Sequence, residues 1–368
     1  LGNEQAALIR TSERKKYRGC KWAWNVSYLA GLETKARRGA LSFGSMIHSA
    51  LEAYYPPGVE RGEHPAEAFA RLYDANDEGD FDQWDEEGNR VPARELGIAM
   101  LEGYVEEYGT DSDIEMIAPE MGFQIDVYDQ RGDYLCTYVG KIDGVARRRS
   151  TGRVVNLEHK SAKSIPLVRI NSDYGEQGLS YSWASTRWLQ HQGILGPDEA
   201  VEGVLYNFLR KALPDERPMN EAGHRLNKPS KDAIVAACEG AGLPTKGTIP
   251  VLTDRLISSG WTEQDVLLLG EPSKNQPAPL FHRQPMDIGP RQLVQFEKRL
   301  RQEAWEMRQV RLGKIPVYKS PSDWTCRMCD LRDVCEVHEM GGDWQGMLEL
   351  DFKPWDPYSD HELEAEKR

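Results

Sequence analysis

The sequence predicts an α/β fold, a mixed central sheet flanked by helices, with a small helical insertion. Three patterns carry that expectation. Helical periodicity dominates residues 11–108, and period-two alternation takes over around 123–139 and returns as an apolar strand at 154–158. A helix over 175–189 then leads into another strand over 201–208, the order that sets strands side by side with a helix crossing between them.

Taken along the chain, Tyr17, Trp22, Trp24, Tyr28 and Leu29 predict one helix over 11–38, with Ser12 as its N-cap. Cys20 lies inside it beside Lys and Arg residues, a setting that favours a thiolate, and a small buried core residue is an equal reading. A helix over 43–54 stops before Pro56-Pro57-Gly58 and carries His48 among Gly44, Met46, Ile47, Ala50 and Leu51. A lone His on such a face is ordinarily a core histidine. Helices over 65–76 and 93–108 flank an acidic loop at 78–91. Phe123, Ile125 and Val127 alternate, a Gly-containing turn follows at 130–133, and 135–139 forms the return strand of a hairpin leading into Asp143.

The chemistry-bearing stretch starts at Gly140-Lys141-Ile142-Asp143. It continues through Val154-Val155-Asn156-Leu157 to Glu158-His159-Lys160. Alternation along a strand puts Glu158 and Lys160 on one face and His159 on the other. Two carboxylates suit a hard divalent cation, and an ammonium beside them can sit against a water or a phosphate oxygen. An Asp followed by Glu-x-Lys is common by chance, so the pattern alone reads more readily as a solvated strand edge. Gln177 and Tyr181 share a helix face at the i, i+4 spacing.

Residues 211–282 read as an insertion, with flanks rich in Pro, Asn and Lys around two short helices at 230–239 and 249–259. The turn between them, Gly242-Leu243-Pro244-Thr245-Lys246-Gly247, resembles that of a SAP-type helix-extended-helix DNA-binding module. The resemblance implies phosphate contacts from Lys228, Lys231, Lys246 and Arg255, and a generic helical hairpin is the other reading. A long helix over 292–312 follows, then Cys326-x2-Cys329-x5-Cys335 and an acidic, Trp-containing tail over 343–368 that is expected to pack loosely at its end. The expected division is a core of 1–210 and 283–342, the insertion, and the tail.

The chain has 368 residues, 39% hydrophobic and 29% charged, which describes a soluble globular protein. It has no apolar run long enough to span a bilayer and no leader pattern, so a cytoplasmic location is expected. A net charge of −13 weighs against nucleic-acid binding. Basic clusters at 14–18, 35–38 and 147–153 nevertheless stand apart from the acids of 78–87 and of the tail. Six cysteines are too few for a disulfide-stapled fold, and the tight triplet reads as metal or cluster ligation.

In this order the features resemble the RecB-like branch of the PD-(D/E)XK nuclease superfamily, with its restriction-endonuclease-like core. The features are a Cys in the first helix, a helical His, Gly-x-x-Asp, Glu-x-Lys, Gln-x3-Tyr and a terminal Cys triplet. The iron–sulfur members are the most similar: the AddB nuclease domain, the CRISPR-adaptation nucleases and the exonuclease-V type, phage-encoded relatives included. The resemblance implies a Mg²⁺ or Mn²⁺ site made by His48, Asp143, Glu158 and the backbone carbonyl of His159. Lys160 would act on the attacking water or the phosphate, and Gln177 and Tyr181 would position the strand. Cys20, Cys326, Cys329 and Cys335 would ligate a 4Fe-4S cluster, with zinc as the competitor because four thiolates also suit it. The implied activity is a deoxyribonuclease, most of all an exonuclease on single-stranded, end-containing or forked DNA in recombination, repair or replication. A helicase or recombination protein is the kind of partner it allows. Tyr174, Tyr181, Trp183 and Trp188 would be available to stack unpaired bases or would be core. The alternative is a catalytically silent DNA-binding or scaffold protein on the same fold.

Overall fold

The structure is a computed structural model that describes residues 7–35, 40–76, 81–84, 88–165 and 172–359. Parts of the acidic loop and of the basic cluster at 35–38, and the chain after Ser359, lie outside the described residues, as does the Tyr174 side chain. The chain divides into two compact units, Leu1–Ala212 with Phe281–Arg368, and Leu213–Leu280.

The larger unit opens with β1 (Leu8–Ile9), α1 (Thr11–Gly19), α2 (Lys21–Trp24), one π-helical turn (Asn25–Leu29) and β2 (Leu32–Thr34). Next come α3 (Ala40–Tyr54), α4 (Pro65–Asp74), the short pair β3 (Asp82–Trp84) and β4 (Arg90–Pro92), and α5 (Ala93–Tyr108). The sheet strands β5 (Ile114–Tyr128), β6 (Tyr134–Arg148) and β7 (Val154–Ala162) follow, then α6 (Ser172–His191) and β8 (Gly203–Arg210). The smaller unit supplies α7 (Lys231–Gly240), α8 (Ile249–Ser258) and α9 (Glu263–Leu267) around Ile234, Cys238, Leu252, Leu256 and Val266. The chain then returns as β9 (Phe281–Asp287), α10 (Pro290–Arg311), α11 (Asp323–Arg327), α12 (Arg332–Glu339), α13 (Trp344–Asp351) and β10 (Phe352–Pro354).

The main sheet runs β1-β6-β7-β8-β9, with β5 on the other edge of β6. It is mixed: β6–β7 and β8–β9 are antiparallel, while β7 and β8 are parallel and joined across α6. Both faces are buried by alternation. Ala146, Val155, Leu157, Leu205 and Leu209 face the layer of α3, α4 and α5, with Phe43, Ile47, Leu51, Phe69 and Leu101. Tyr138, Val204, Tyr206 and Phe208 face α6 and α10, with Trp183, Phe296, Leu300 and Met307. Each such apolar side chain contributes about 1.5–3 kcal/mol by leaving water. Among the described residues no helix is long and apolar enough to cross a membrane.

The structure departs from the sequence reading in several places, among them β3 and β4 within the stretch read as an acidic loop. The helix expected over 11–38 is broken at Cys20, which is extended at φ −160°, and the N-cap is Arg10 rather than Ser12. Residues 32–34 are strand because they pair with β10. The hairpin is far longer than expected, so Asp143 lies inside β6 rather than past it. The tail folds as α13 and β10, and Tyr358 Oη donates to buried Glu13; the loose packing expected at its very end falls outside the described residues.

Arg14 fastens α1 to the sheet layer. Its guanidinium is buried between Glu176 of α6 at 2.9 Å and Glu303 of α10 at 2.7 Å, and lies 4.8 Å from the Phe296 ring centre. Removing one partner from a buried ion cluster strands the others without compensation. Arg14→Met should therefore lower the unfolding free energy by about 3 kcal/mol in a denaturant titration. A loss below about 0.5 kcal/mol, the scale of an exposed pair, would show that the neighbouring Arg18 compensates.

Candidate active site

The ladder between β6 and β7 ends at Gly144↔Leu157. One residue further, Asp143 comes opposite Glu158 and the two strands no longer bond. β7 itself continues alongside β8 as far as Ala162↔Arg210, so it stays rigid after β6 has left it. The backbone N–H of His159, released from the ladder, donates to Asp143 Oδ2 at 2.7 Å. The other carboxylate oxygen, Oδ1, lies 2.9 Å from His48 Nδ1. His48 stands on α3, whose face of Phe43, Ile47, Ala50 and Leu51 is buried against the sheet.

On the opposite face Glu158 is almost fully buried. Its Oε1 accepts from Lys160 Nζ and, at 3.0 Å, from Gln177 Nε2. Gln177 Nε2 is also 3.0 Å from the Tyr181 hydroxyl one turn along α6. The structure thus brings together His48, Asp143, Glu158, His159, Lys160, Gln177 and Tyr181.

The charges are strongly perturbed. Burial would raise the Asp143 carboxyl, but the hydrogen bond from His48 and the charges of His48, His159 and Lys160 hold it below the usual carboxylate range. Burial, reinforced by the Asp143 charge, pushes Glu158 up to about 7 against the pull of Lys160. His48 is lifted, its burial outweighed by the hydrogen bond and charge of Asp143. Burial drives His159 down to about 3, so its ring is neutral.

Among the described residues no three His, Cys, Asp or Glu side chains converge tightly enough to hold one metal ion. The carboxylates are occupied by protein partners, Asp143 by His48 and His159, and Glu158 by Lys160 and Gln177. One oxygen is the exception: Glu158 Oε2 is buried with no hydrogen-bond partner among the described residues. A buried carboxylate oxygen without a donor is costly unless it meets a cation. Beside a second carboxylate, that donor chemistry fits a hard divalent ion, and Asp143, Glu158, the His159 carbonyl and His48 are the groups that would hold it.

Cys20, Cys326, Cys329 and Cys335, all free thiols, line one cavity of about 550 Å³ with Trp22 and Ala23 in its wall. The Ser320 N–H points at Cys20 Sγ from 3.5 Å. Four thiols around one space, with Asp323, Arg327, Arg332 and Glu336 also in its lining, are donors of the kind a soft metal or cluster takes. Cys136 and Cys238 are instead core residues of the two units, and burial pushes the Cys136 thiol up to about 12.

Other expected residues fall differently. Lys228, Lys231 and Lys246 are exposed in the smaller unit. Arg255 donates to the carbonyls of Pro244 and Lys246, both at 2.8 Å, and so braces the turn between α7 and α8. Trp183 is core, with its Nε1 on Glu297 at 3.2 Å, which closes its ring to a base, and Trp188 is partly buried against the same core cluster. Asn207, 2.8 Å from His159 Nδ1, was not singled out by the sequence. Its only sequence signal is an Asn inside the apolar run Val204-Leu205-Tyr206-Asn207-Phe208-Leu209.

A cation at Glu158 must compete with a proton. Because the carboxyl titrates at about 7, lowering the pH through that value should weaken Mn²⁺ binding, towards about tenfold per pH unit. Calorimetry at pH 8, 7 and 6 measures this; an affinity that does not change with pH would place the ion elsewhere.

The PD-(D/E)XK nuclease superfamily model matches residues 11–336, and no curated protein matches the chain. The match takes in α1, β6, β7, α6 and the Cys triplet, and so the residues just described. The chain belongs to the PD-(D/E)XK nuclease superfamily.

Proposed function

We propose that this nuclease is a metal-dependent deoxyribonuclease of the RecB-like, iron–sulfur branch. It acts in the cytoplasm as an exonuclease on single-stranded, end-containing or forked DNA during recombination, repair or replication. The observation that supports it most is the convergence of Asp143, Glu158 and Lys160, with His48 from one layer and Gln177 and Tyr181 from the other, where the β6–β7 ladder opens.

Bound Mg²⁺ or Mn²⁺ supplies a water that is nucleophilic near neutral pH and relieves negative charge at the phosphate. The chain's own residues do the rest. Asp143 and Glu158 hold the ion, with the His159 carbonyl and His48 completing the set. Lys160 sits on Glu158 and presents its ammonium to the attacking water or a non-bridging phosphate oxygen. Gln177 is tied to both Glu158 and Tyr181, so the helix face that contacts the strand keeps a fixed relation to the carboxylate. In the smaller unit, Lys228, Lys231 and Lys246 are the residues that would contact phosphates.

The four-thiol cavity supports a 4Fe-4S cluster. It would join Cys20, at the break between α1 and α2, to the C-terminal segment carrying α11 and α12, with zinc as the chemical rival.

Glu158→Ala or Lys160→Ala should each lower Mn²⁺-dependent degradation of end-labelled single-stranded DNA by about 10²–10⁴-fold, the range for losing a group that acts on the proton or charge in flight. Full activity in either variant would sink the assignment. Protein purified without oxygen should be brown and contain iron and acid-labile sulfide in equal amounts, and Cys326→Ser should lose both together with thermal stability. Colourless protein carrying stoichiometric zinc would make the soft site a zinc site.

A further inference from the structure

Behind the metal-binding strand lies a buried hydrogen-bonded chain that no step of the proposed chemistry uses. It starts at Asp111, just past the end of α5, in the left-handed region at φ 47°, a conformation that costs an Asp energy and persists only where its surroundings enforce it. Arg283 of β9 grips its carboxylate with two bonds of 2.7 Å. The buried hydroxyl of Tyr55 lies 2.6 Å from Asp111 Oδ2 and 2.6 Å from the Tyr104 hydroxyl. Tyr104 is 3.0 Å from Asn207 Nδ2, and Asn207 Nδ2 is 2.8 Å from His159 Nδ1.

Donors and acceptors fix the direction of every link. A carboxylate gripped by Arg283 only accepts, so Tyr55 donates to Asp111. Tyr104 then donates to Tyr55, and its oxygen accepts from Asn207 and, at 2.8 Å, from Arg283. The Asn207 amide is oriented by its oxygen, which faces Arg283 Nε at 3.4 Å. Its second N–H therefore goes to His159 Nδ1, and the imidazole must carry its proton on Nε2. The ring so fixed lies flat against Tyr55, with centroids 6.1 Å apart, and edge-on to His48 at 6.2 Å.

We propose that Asn207 is a positioning residue for the metal site. By holding the His159 ring it fixes the strand segment whose N–H clamps Asp143 and whose carbonyl would help to hold the ion. The proposal rests on reading Asp143 and Glu158 as the metal carboxylates. Supporting groups one step removed from metal ligands commonly govern affinity by 10–100-fold.

The test uses the full chain with Mn²⁺ alone as ligand, and ¹⁵N-labelled histidine. Wild type should show His159 protonated on Nε2. Asn207→Leu should weaken Mn²⁺ binding by about 10–100-fold and lower kcat on single-stranded DNA while leaving KM unchanged. Asn207→Asp, which is isosteric and folds where the Leu variant fails, presents only acceptors and should move the His159 proton to Nδ1 with a similar loss of affinity. Wild-type His159 protonated on Nδ1, or Mn²⁺ affinity unchanged in the folded variants, overturns the proposal. Glu158→Gln run in parallel separates the underlying reading: if it binds Mn²⁺ as wild type does, the metal-site assignment fails, and the positioning role with it. If it loses binding while the Asn207 variants keep theirs, only the positioning role fails.

Discussion

Asp143 replaces a piece of β-ladder. Where β6 and β7 stop exchanging backbone bonds, its carboxylate accepts the N–H of His159 that the ladder would otherwise have used. A strand pair that simply ended there would leave a buried donor unsatisfied, at a cost of about 1–3 kcal/mol. The carboxylate meets that demand and in doing so is fixed within reach of Glu158. The opening of the sheet, the position of His48 and the burial of Glu158 all follow from this substitution of a side chain for a backbone partner.

Alternation along β7 then separates two tasks. Glu158 and Lys160 face α6, where Gln177 and Tyr181 meet them, while His159 faces the layer of α3 and α5, where everything it touches is held by other protein groups. The burial that raises Glu158 also keeps His159 neutral, because low dielectric disfavours the charged form of either group. One strand thus carries a reactive carboxylate on one side and an uncharged anchor on the other.

How much of this was legible depended on whether a residue's partners were near it in sequence. Glu158 and Lys160 could be paired by strand period alone, and Gln177 with Tyr181 by one helical turn. Asp143 falls past its strand in the sequence because the return strand is read only to Val139, and Gly140 and Gly144 stand on either side of the aspartate. In the structure they are packing slots: a Cβ on Gly140 would come within 2.5 Å of the Phe123 ring, and one on Gly144 within 3.1 Å of Met116. β9 escaped notice because Pro285 and its polar residues break any period, which an edge strand tolerates. The break at Cys20 and the pairing of β2 with β10 depend on the far end of the chain, and no local pattern encodes that. The Asp111–Arg283–Asn207 chain is the extreme case, since it draws on α5, β8 and β9 and has no motif at all.

The acids enclosed by the larger unit fall into two kinds, told apart by their partners. Glu13, Glu176, Glu297 and Glu303 are largely buried and each faces arginine, through Arg311, through Arg14, Arg18 and Arg299, through Arg187 and Arg301, and through Arg14. These carboxylates hold α1, α6 and α10 together and present little field to solvent. Asp143, partly buried, and Glu158, almost fully buried, differ in kind. Their partners are a histidine, a backbone N–H, a lysine and an amide, with one oxygen left over. A structural carboxylate here is matched by arginine; these two are under-matched by comparison, which is the condition a site needs if it is to take up a cation rather than merely hold the fold.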